Sequence, residues 1–407
     1  MIIIGGGIAG LSAALEAEKS GHRTLLLEAS SKLGGRVKSD LVDGFTLDHG
    51  FQVLLSNYSM AQRVVRFNKL DLKAFAPGAH ITDDRGKLAI SDPMREPSAY
   101  VTMLFSRVGS ISDKLRLRRL SSELKSLTEA QCFDIEQTTM DYLRDYGFSG
   151  RMIALFFKPF FGGVFLESNL STSAGMFRFV FRNFAIGEAC IPAKGMQAIP
   201  DDMAQRLKNV EVRPNAAVKT IHANQDIELI DGTIFAAKKI ILACDPSRLL
   251  PQMDQPIAYN STRTEYFSGK AELKKLEKRI GLDARSISDI NNYCRLDEVQ
   301  SSYAPKGRSL WSVSLRQNSK AQPSAVSVQL AELIGANASD LTPLKSYEIK
   351  KALPILENPT FDIPAEQSQI ASHIYLAGDY LLNASIEGAL RSGYRAAEAC
   401  IETLELV

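Results

Sequence analysis

The sequence predicts an α/β fold in which a domain built on a parallel sheet is interleaved with a second, α+β domain. Two observations lead to this prediction. The chain opens with an apolar strand, a glycine-rich turn, a helix and a second apolar strand, which is the order of a βαβ unit. Further apolar strands follow near residues 240 and 375, so the domain that begins at residue 1 is completed only near residue 407.

The first 28 residues show this unit in detail. Residues 2–4 are all isoleucine, as expected for a strand that is buried on both faces of a parallel sheet. A helix is predicted over residues 11–19, with Gly21 at its C-terminal cap, and residues 23–27 form the second apolar strand. The later strands predicted for this domain are residues 209–212, 217–221, 226–230, 239–243 and 374–377, with a turn at Asp231-Gly232.

Composition argues against several classes of function. The 407 residues include 48 basic and 46 acidic side chains, and this net charge of +2 gives no indication of a nucleic-acid partner. The five cysteines are scattered without a Cys-x-x-Cys pair, and the five histidines include no pair at metal-ligand spacing. We therefore expect a cytoplasmic protein with neither disulfides nor a metal site.

Helical periodicity dominates residues 60–190, and one helix in this stretch is strongly basic. The leucines of its apolar face are Leu117, Leu120, Leu124 and Leu127. Its basic residues are Lys114, Arg116, Arg118 and Arg119. A solvated outer face is the simpler explanation of these charges. Contact with a membrane surface, and with it peripheral membrane association, stays open as the alternative.

A glycine motif directly follows the first strand and opens the first helix. Gly5, Gly7 and Gly10 have the spacing of a dinucleotide-binding turn. In such a turn the first glycine permits the sharp bend, the second lets the backbone approach a pyrophosphate, and the third lets helix and strand pack closely. Ile8 and Ala9 then begin the helix, whose free amide groups attract phosphate charge.

An acidic residue ends the second strand. Glu28, which is followed by Ala29, stands where a carboxylate accepts a hydrogen bond from a ribose hydroxyl. Strand, glycine turn, helix and acid occur in register, which makes a turn without a ligand a poor explanation. NAD and FAD both remain open as the dinucleotide at this point.

A second glycine motif separates the two cofactors. Gly34 and Gly35 allow a close backbone approach, and Arg36 can make a bidentate contact with phosphate. This segment resembles the one that follows the ribose-binding glutamate in the flavoprotein superfamily of amine oxidases, protoporphyrinogen oxidases and phytoene desaturases. The resemblance implies FAD as cofactor, and a FAD-binding Rossmann-like domain of the glutathione-reductase type.

The same resemblance extends to three further parts of the chain. It implies that Gly50, Phe51 and Gln52 lie near the isoalloxazine ring, and that Val218 and Ala243 lie near the adenine. It also implies that a closing motif aims the last helix at the flavin, with Asp379 on the ribityl chain; its residues are Gly378, Asp379, Ser385, Ile386, Glu387 and Ala389. No cysteine neighbours Gly378 in the sequence, so we expect the flavin to be bound non-covalently.

The predicted domains interleave along the chain. Residues 1–60, 192–250 and 345–407 are expected to form the FAD-binding domain, and residues 61–191 and 251–344 the substrate domain.

These motifs predict a FAD-dependent oxidoreductase that removes a hydride from a bulky, largely apolar small molecule to flavin N5. Oxygen or another electron acceptor would reoxidise the flavin. The apolar substrate is suggested by a run of phenylalanines, most of which an aromatic core explains as well: Phe156, Phe157, Phe160, Phe161, Phe165, Phe177, Phe179, Phe181 and Phe184.

The catalytic residues are unknown from the sequence, and three other functions stay open. An amine oxidase often uses a lysine near N5, for which Lys270 and Lys306 are the only suggestions. A non-catalytic lipid carrier of the same fold would not need the cofactor motifs that this chain retains. A redox-neutral isomerase is the third alternative.

Overall fold

The computed structural model describes residues 1–90, 106–250 and 256–405. Residues 91–105 of the predicted helical stretch, the first five residues of the predicted segment 251–344 and the last two of 345–407 lie outside the described residues.

The elements agree with the prediction in kind and differ from it by a few residues at their ends. The described strands are, in chain order, β1 (Ile2–Ile4), β2 (Leu25–Leu27), β3 (Ser39–Val42), β4 (Phe45–Asp48), β5 (Leu54–Leu55), β6 (Lys73–Ala74), β7 (Ala79–Asp83), β8 (Gly86–Ile90), β9 (Ala189–Ile191), β10 (Glu211–Arg213), β11 (Val218–Ile221), β12 (Asp226–Leu229), β13 (Ile234–Ala236), β14 (Ile240–Leu242), β15 (Tyr259–Lys270), β16 (Ile280–Asp283), β17 (Ile290–Arg295), β18 (Arg308–Leu315), β19 (Thr342–Pro354), β20 (Gln369–Ala371) and β21 (Ile374–Leu376). The described α-helices are α1 (Ile8–Ser20), α2 (Ser59–Val64), α3 (Phe67–Leu70), α4 (Ile111–Ser126), α5 (Thr139–Asp145), α6 (Gly150–Met152), α7 (Lys158–Phe165), α8 (Ala174–Ile186), α9 (Ala198–Ala204), α10 (Leu296–Val299), α11 (Pro323–Ile334) and α12 (Ile386–Glu405).

The first sheet has six strands in the order β10-β2-β1-β14-β21-β20. All neighbours are parallel except β20 and β21, and β1 is central, pairing with β2 on one side and β14 on the other. Because the strands are parallel, the segments that follow β1, β2, β14 and β21 leave the sheet at the same edge. Ligands of open α/β sheets bind at this carboxyl edge. The predicted mixed α/β class is thereby confirmed.

Two helices cover one face of this sheet in very close contact. A Cβ atom on Gly393 of α12 would lie 2.0 Å from the Ala9 carbonyl oxygen of α1, so only glycine allows this crossing. The Ser12 hydroxyl donates to the Leu390 carbonyl at 2.6 Å, which ties the first helix to the last. The last helix therefore packs against the first helix on the face of the same sheet.

The second large sheet has seven strands in the order β19-β15-β18-β17-β16-β7-β8, and only β16 and β7 are parallel. Helix α11 packs on it through a core that contains Phe267, Trp311 and Leu330. One predicted domain boundary needs correction. The boundary at residue 345 falls within β19, and the continuous pairing of β19 with β15 up to Pro354 places residues 345–354 in this sheet.

Candidate functional site

A cavity of about 1610 Å³ opens at the carboxyl edge of the parallel sheet and continues between the helices of residues 111–186. This volume exceeds the roughly 300–1,000 Å³ of a typical ligand pocket, so the cavity has room for a cofactor and a substrate together. One end is lined by residues that follow β1, β2, β14 and β21, including Gly5, Glu28, Ala243 and Gly378.

Each of the three glycines of the first turn has different steric surroundings. Gly5 has φ +106°, and a Cβ there would lie 2.6 Å from the Ala243 carbonyl oxygen. A Cβ on Gly10 would lie 1.9 Å from the Gly5 carbonyl oxygen, so this residue lets α1 approach the turn. A Cβ on Gly7 would meet only the Cα atom of Gly35, at 3.8 Å. Gly7 therefore leaves open space in the cavity wall rather than room for another part of the protein.

The second glycine pair packs against the first turn. The Gly34 amide donates to the Gly6 carbonyl at 2.8 Å, and a Cβ on Gly35 would lie 3.1 Å from the Cα atom of Gly7. This contact brings Arg36 into the cavity wall, where its guanidinium pairs with the Asp379 carboxylate. Residues 343 positions apart in the sequence thus meet at one point of the site.

Glu28 lines the cavity beside the glycine turn. One carboxylate oxygen accepts the Gly6 amide at 2.8 Å, and the other accepts the amide and hydroxyl groups of Ser30 at 2.8 and 2.6 Å. These bonds fix the carboxylate at the end of β2. Ala29, the next predicted residue, is exposed and is not part of the cavity lining.

The loop after β4 forms the adjoining wall. Gly50 faces Ile349 and Thr262, to which a Cβ would be 3.3 and 3.8 Å distant. The Gln52 side-chain amide donates to the Arg36 carbonyl at 2.9 Å, so the loop is tied to the second glycine motif. His49 also lines the cavity, with its Nε2 atom 3.2 Å from a carboxylate oxygen of Asp40.

The loop is anchored by a buried carboxyl group. Asp48 accepts hydrogen bonds from the Ser39 hydroxyl, the Met196 amide and the Tyr303 hydroxyl, at 2.5, 2.9 and 3.0 Å. Burial outweighs these three bonds and raises the pKa of the Asp48 carboxyl from 3.8 to about 6.

This carboxyl should make the protein less stable as the pH rises from about 4 to 6. The folded protein holds the proton to a higher pH than the unfolded chain does, so the stabilisation is complete at low pH and is lost as the pH passes the folded pKa of about 6. At about 1.4 kcal/mol for each pKa unit, the loss is about 3 kcal/mol. This loss of unfolding free energy is measured by urea unfolding of the wild type and of Asp48→Asn at pH 4 and at pH 7. Equal pH dependence of the two proteins would contradict the assignment.

The closing motif reaches the cavity from the opposite side. Asp379 follows β21, and its side chain is only 7% exposed beside Arg36. Ser385, Ile386 and Ala389, at the start of α12, line the same wall. The first turn of the terminal helix therefore faces the cavity.

Glu387 is an exception. Its carboxylate is fully buried and accepts the Met60 and Ala61 amides at 2.7 and 3.0 Å, so it satisfies the first turn of α2 instead of facing the cavity. Val218 is also outside the cavity lining, and its side chain packs in the core between β11 and the parallel sheet. Gly10 lies behind the turn. The predicted residues that do line the cavity are Gly5, Gly7, Ile8, Ala9, Glu28, Gly34, Gly35, Arg36, Gly50, Phe51, Gln52, Ala243, Gly378, Asp379, Ser385, Ile386 and Ala389.

Two residues of this wall were missed by sequence reasoning. The Tyr380 hydroxyl is buried without a hydrogen-bond partner among the described residues, although the ring lines the cavity. Cys244 lies at the end of β14, next to β21, so the sheet brings a cysteine to the Gly378 loop although none is near in sequence. Burial raises the pKa of the Cys244 thiol to about 12, which leaves it protonated at neutral pH.

The other end of the cavity is aromatic. Six of the nine phenylalanines noted in the sequence line it, and we call them the aromatic wall: Phe156, Phe160, Phe161, Phe165, Phe181 and Phe184. Phe157, Phe177 and Phe179 are fully buried behind this wall and serve as core, as the simpler explanation predicts.

The described part of the chain offers neither a metal-binding cluster nor a membrane-spanning helix. No group of three or more His, Cys, Asp or Glu side chains is arranged there to hold a metal ion. None of the helices in residues 1–90, 106–250 and 256–405 has both the length and the apolar character to cross a bilayer.

Solved structures share this fold over nearly the whole chain. A putrescine oxidase bound to putrescine superposes with a TM-score of 0.72 at 17% identity, covering 98% of each chain. Cyclohexylamine oxidase from Brevibacterium oxydans superposes with a TM-score of 0.70 at 16% identity, covering 99% of each.

Matches in sequence are partial. The probable flavin-containing monoamine oxidase A of Dictyostelium discoideum is 24% identical over 272 residues, 61% of this chain and 57% of that protein. A 4,4'-diaponeurosporene oxygenase of Staphylococcus aureus is 32% identical over 75 residues, 18% of this chain and 15% of that protein. The chain thus spans little more than half the length of the longest-matching of these two curated relatives. The model of the flavin-containing amine oxidoreductases matches residues 8–266, a range that begins directly after Gly7 and includes Gly10 and the second glycine motif.

This match covers more than half of the chain, including the start of α1, the Glu28 carboxylate and the Gly34-Gly35-Arg36 contact. The chain therefore belongs to the flavin-containing amine oxidoreductase family, a family of FAD-dependent oxidoreductases, and FAD is its cofactor.

Proposed function

We propose that the parallel sheet is a FAD-binding Rossmann-like domain of the glutathione-reductase type, and that the cavity end at its carboxyl edge holds the cofactor. The first turn of α1 would bind the diphosphate, Glu28 a ribose hydroxyl, and the loop at Gly50 the flavin ring. The cofactor domain would consist of residues 1–60, 192–250 and 355–407, and the substrate domain of the segments between them.

Two features of the wall fit such a ligand. Gly7 leaves space where a side chain would project into the cavity. Gly7 also has no side chain with which to cap α1, so the amides at the start of that helix are available to phosphate oxygens. The Tyr380 hydroxyl is the second feature. Burial raises its pKa well above the ordinary value, so at neutral pH it is a hydrogen-bond donor that lacks an acceptor among the described residues.

Replacing Tyr380 with phenylalanine should therefore weaken FAD binding while leaving the apoprotein at least as stable. The change removes a buried polar group that has no partner in the described part of the chain, whereas a hydrogen bond to the cofactor is worth about 1 kcal/mol, or roughly five-fold in affinity. Titration of the apoprotein with FAD and urea unfolding measure the two effects.

Tyr375→Phe is the matched control. The Tyr375 hydroxyl is 2.6 Å from the Thr403 hydroxyl and is not part of the cavity lining, so this variant should lose stability and keep its FAD affinity. Unchanged FAD affinity in Tyr380→Phe would show that its hydroxyl does not contact the cofactor.

We infer that the substrate is a bulky, largely apolar small molecule. The observation that carries this inference is the position of the aromatic wall, which lines the same cavity as the glycine turn. FAD, when bound, supplies the chemistry: it takes a hydride from a substrate carbon and passes the electrons to oxygen or another acceptor. The wall would exclude water and orient the carbon to be oxidised.

The lysines of the cavity give little support to an amine oxidase. Lys270 and Lys306 are exposed and lie outside the cavity lining. The lysines of the described lining are Lys114, Lys125 and Lys351, and Lys351 is paired with Asp245. Thr262 and Ile349, rather than a lysine, face Gly50. We therefore favour oxidation of a carbon skeleton over oxidation of an amine.

Anaerobic bleaching of the flavin absorbance tests this function directly. Polyenes, tetrapyrrole precursors and amines are each mixed with the holoprotein, and the first two classes are expected to reduce the flavin. Phe160→Ala should slow this reduction while leaving the FAD content unchanged. Rapid bleaching by an amine, with no response to either apolar class, would overturn the proposal in favour of an amine oxidase.

A further inference from the structure

The basic residues of α4 fall into two sets with different surroundings. Lys114, Arg118 and Lys125 line the cavity. Lys114 donates to the Ser106 carbonyl at 2.7 Å, and we call the other two residues, Arg118 and Lys125, the cation stripe. At 3.6 residues per turn, Arg118 and Lys125 lie within about 40° of Lys114 around the helix axis. Arg116 and Arg119 lie on the other side of the helix and are not part of the lining.

The residues on the far side are engaged by the protein. The Arg119 guanidinium donates to the Glu123 carboxylate at 2.7 Å, and Arg116 donates to the Ser112 hydroxyl at 2.9 Å. Arg118 and Lys125 have no hydrogen bond or ion pair among the described residues, although both border the cavity. Glu123 therefore neutralises a cation on the side of the helix that faces away from the cavity.

Among the described residues, the cavity-lining neighbours of the stripe on its own helix, apart from Lys114, are apolar or neutral. Ile111, Leu115 and Leu117 flank it on the same helix, and Ser121 lies between its members. Glu136, on the segment after α4, also lines the cavity, but no ion pair joins it to Arg118 or Lys125. Cations of this kind beside an apolar cavity match an anionic group that is attached to an apolar body.

We propose that the substrate is an anionic amphiphile, whose apolar body lies against the aromatic wall and whose carboxylate or phosphate group is held by the cation stripe. This proposal rests on the proposed apolar substrate and adds its charged end. It also explains why basic residues of α4 border the cavity, which a solvated outer face does not explain. The exposed position of Arg118 places the anionic group at the cavity mouth, so the reacting carbon would enter first.

Binding of a polyene acid and of its ester tests the charged end without any flavin chemistry. The probes are cis-parinaric acid and its methyl ester, whose fluorescence rises when they leave water, titrated into the FAD-loaded protein below their aggregation concentrations. The wild type is expected to bind the acid about ten-fold more tightly than the ester, a difference of about 1.4 kcal/mol. In Arg118→Gln/Lys125→Gln this preference should disappear while the ester affinity stays the same.

Arg116→Gln/Arg119→Gln is the matched control, because it removes the same charge from the far side of the helix and should keep the preference for the acid. Equal binding of acid and ester by the wild type would overturn the anionic end and leave the apolar substrate standing. If neither the acid nor the ester bound saturably, both the apolar substrate and its anionic end would be contradicted.

A second arm separates an anionic substrate from an anionic lipid surface. Sedimentation with phosphatidylglycerol vesicles should be unaffected by the stripe variant. Loss of vesicle binding in that variant, together with equal binding of acid and ester, would assign the stripe to membrane contact instead and overturn the proposal.

Discussion

Replacing Gly7 with alanine should give a folded protein that has lost most of its affinity for FAD. A Cβ at this position lies 3.8 Å from the nearest protein atom, so the apoprotein accommodates it without strain. The same methyl group projects into the cavity at the start of α1, where the diphosphate is proposed to bind. Overpacking of a fitted contact costs about 1–3 kcal/mol, which corresponds to roughly 5- to 150-fold weaker binding.

Gly10→Ala is the contrasting variant. Its Cβ would lie 1.9 Å from the Gly5 carbonyl oxygen, so the helix and the turn must separate and the apoprotein itself should be destabilised. Circular dichroism and urea unfolding of the apoproteins separate the two effects, and titration with FAD measures the affinity of the variants that fold. Full FAD affinity in Gly7→Ala would show that the diphosphate does not approach this glycine.

These glycines also show why part of the site was predictable. The spacing of Gly5, Gly7 and Gly10 reflects local steric requirements, which a sequence records directly. The same is true of the isoleucines of β1 and of the acid that ends β2. For this reason the parallel sheet and most of its carboxyl edge could be predicted before any three-dimensional information was used.

Other parts of the site depend on contacts that no local pattern records. Cys244 reaches the Gly378 loop only because β14 pairs with β21, 134 residues later in the chain. Glu387 has the sequence position of a cofactor contact, but the amides of α2 compete for its carboxylate and hold it elsewhere. The two sides of α4 look alike in the sequence, since the location of the cavity alone distinguishes Arg118 from Arg119.

The predicted domain boundary at residue 345 was misplaced for the same reason, because it depends on a contact that the local sequence does not record. β19 alternates charged and apolar residues and continues through Lys350 and Lys351 as an edge strand, so its sequence does not show which sheet it joins. Only its pairing with β15 decides the question.

Replacing Arg36 with glutamine should reduce FAD affinity about 100-fold or more, the largest effect expected of a single side chain in this site. Arg36 is held by Asp379 and by the Ala352 carbonyl, which orients its remaining donors. A charge-assisted hydrogen bond is worth about 1.5–3 kcal/mol, and loss of the cation would also leave the Asp379 carboxylate unpaired in the wall of the proposed cofactor site.

Asp379→Asn should reduce FAD affinity less than Arg36→Gln does, because Arg36 keeps its charge and loses only part of its orientation.

The double variant Arg36→Gln/Asp379→Asn decides whether the two residues bind FAD cooperatively. Glutamine at position 36 leaves Asp379 unpaired with a side chain only 7% exposed, and asparagine at 379 removes that charge again. The double variant should therefore bind FAD at least as tightly as Arg36→Gln, as measured by apoprotein titration with circular dichroism to confirm folding. Losses that simply add would mean that the two residues act independently, and that the two ends of the chain meet here without cooperating in cofactor binding.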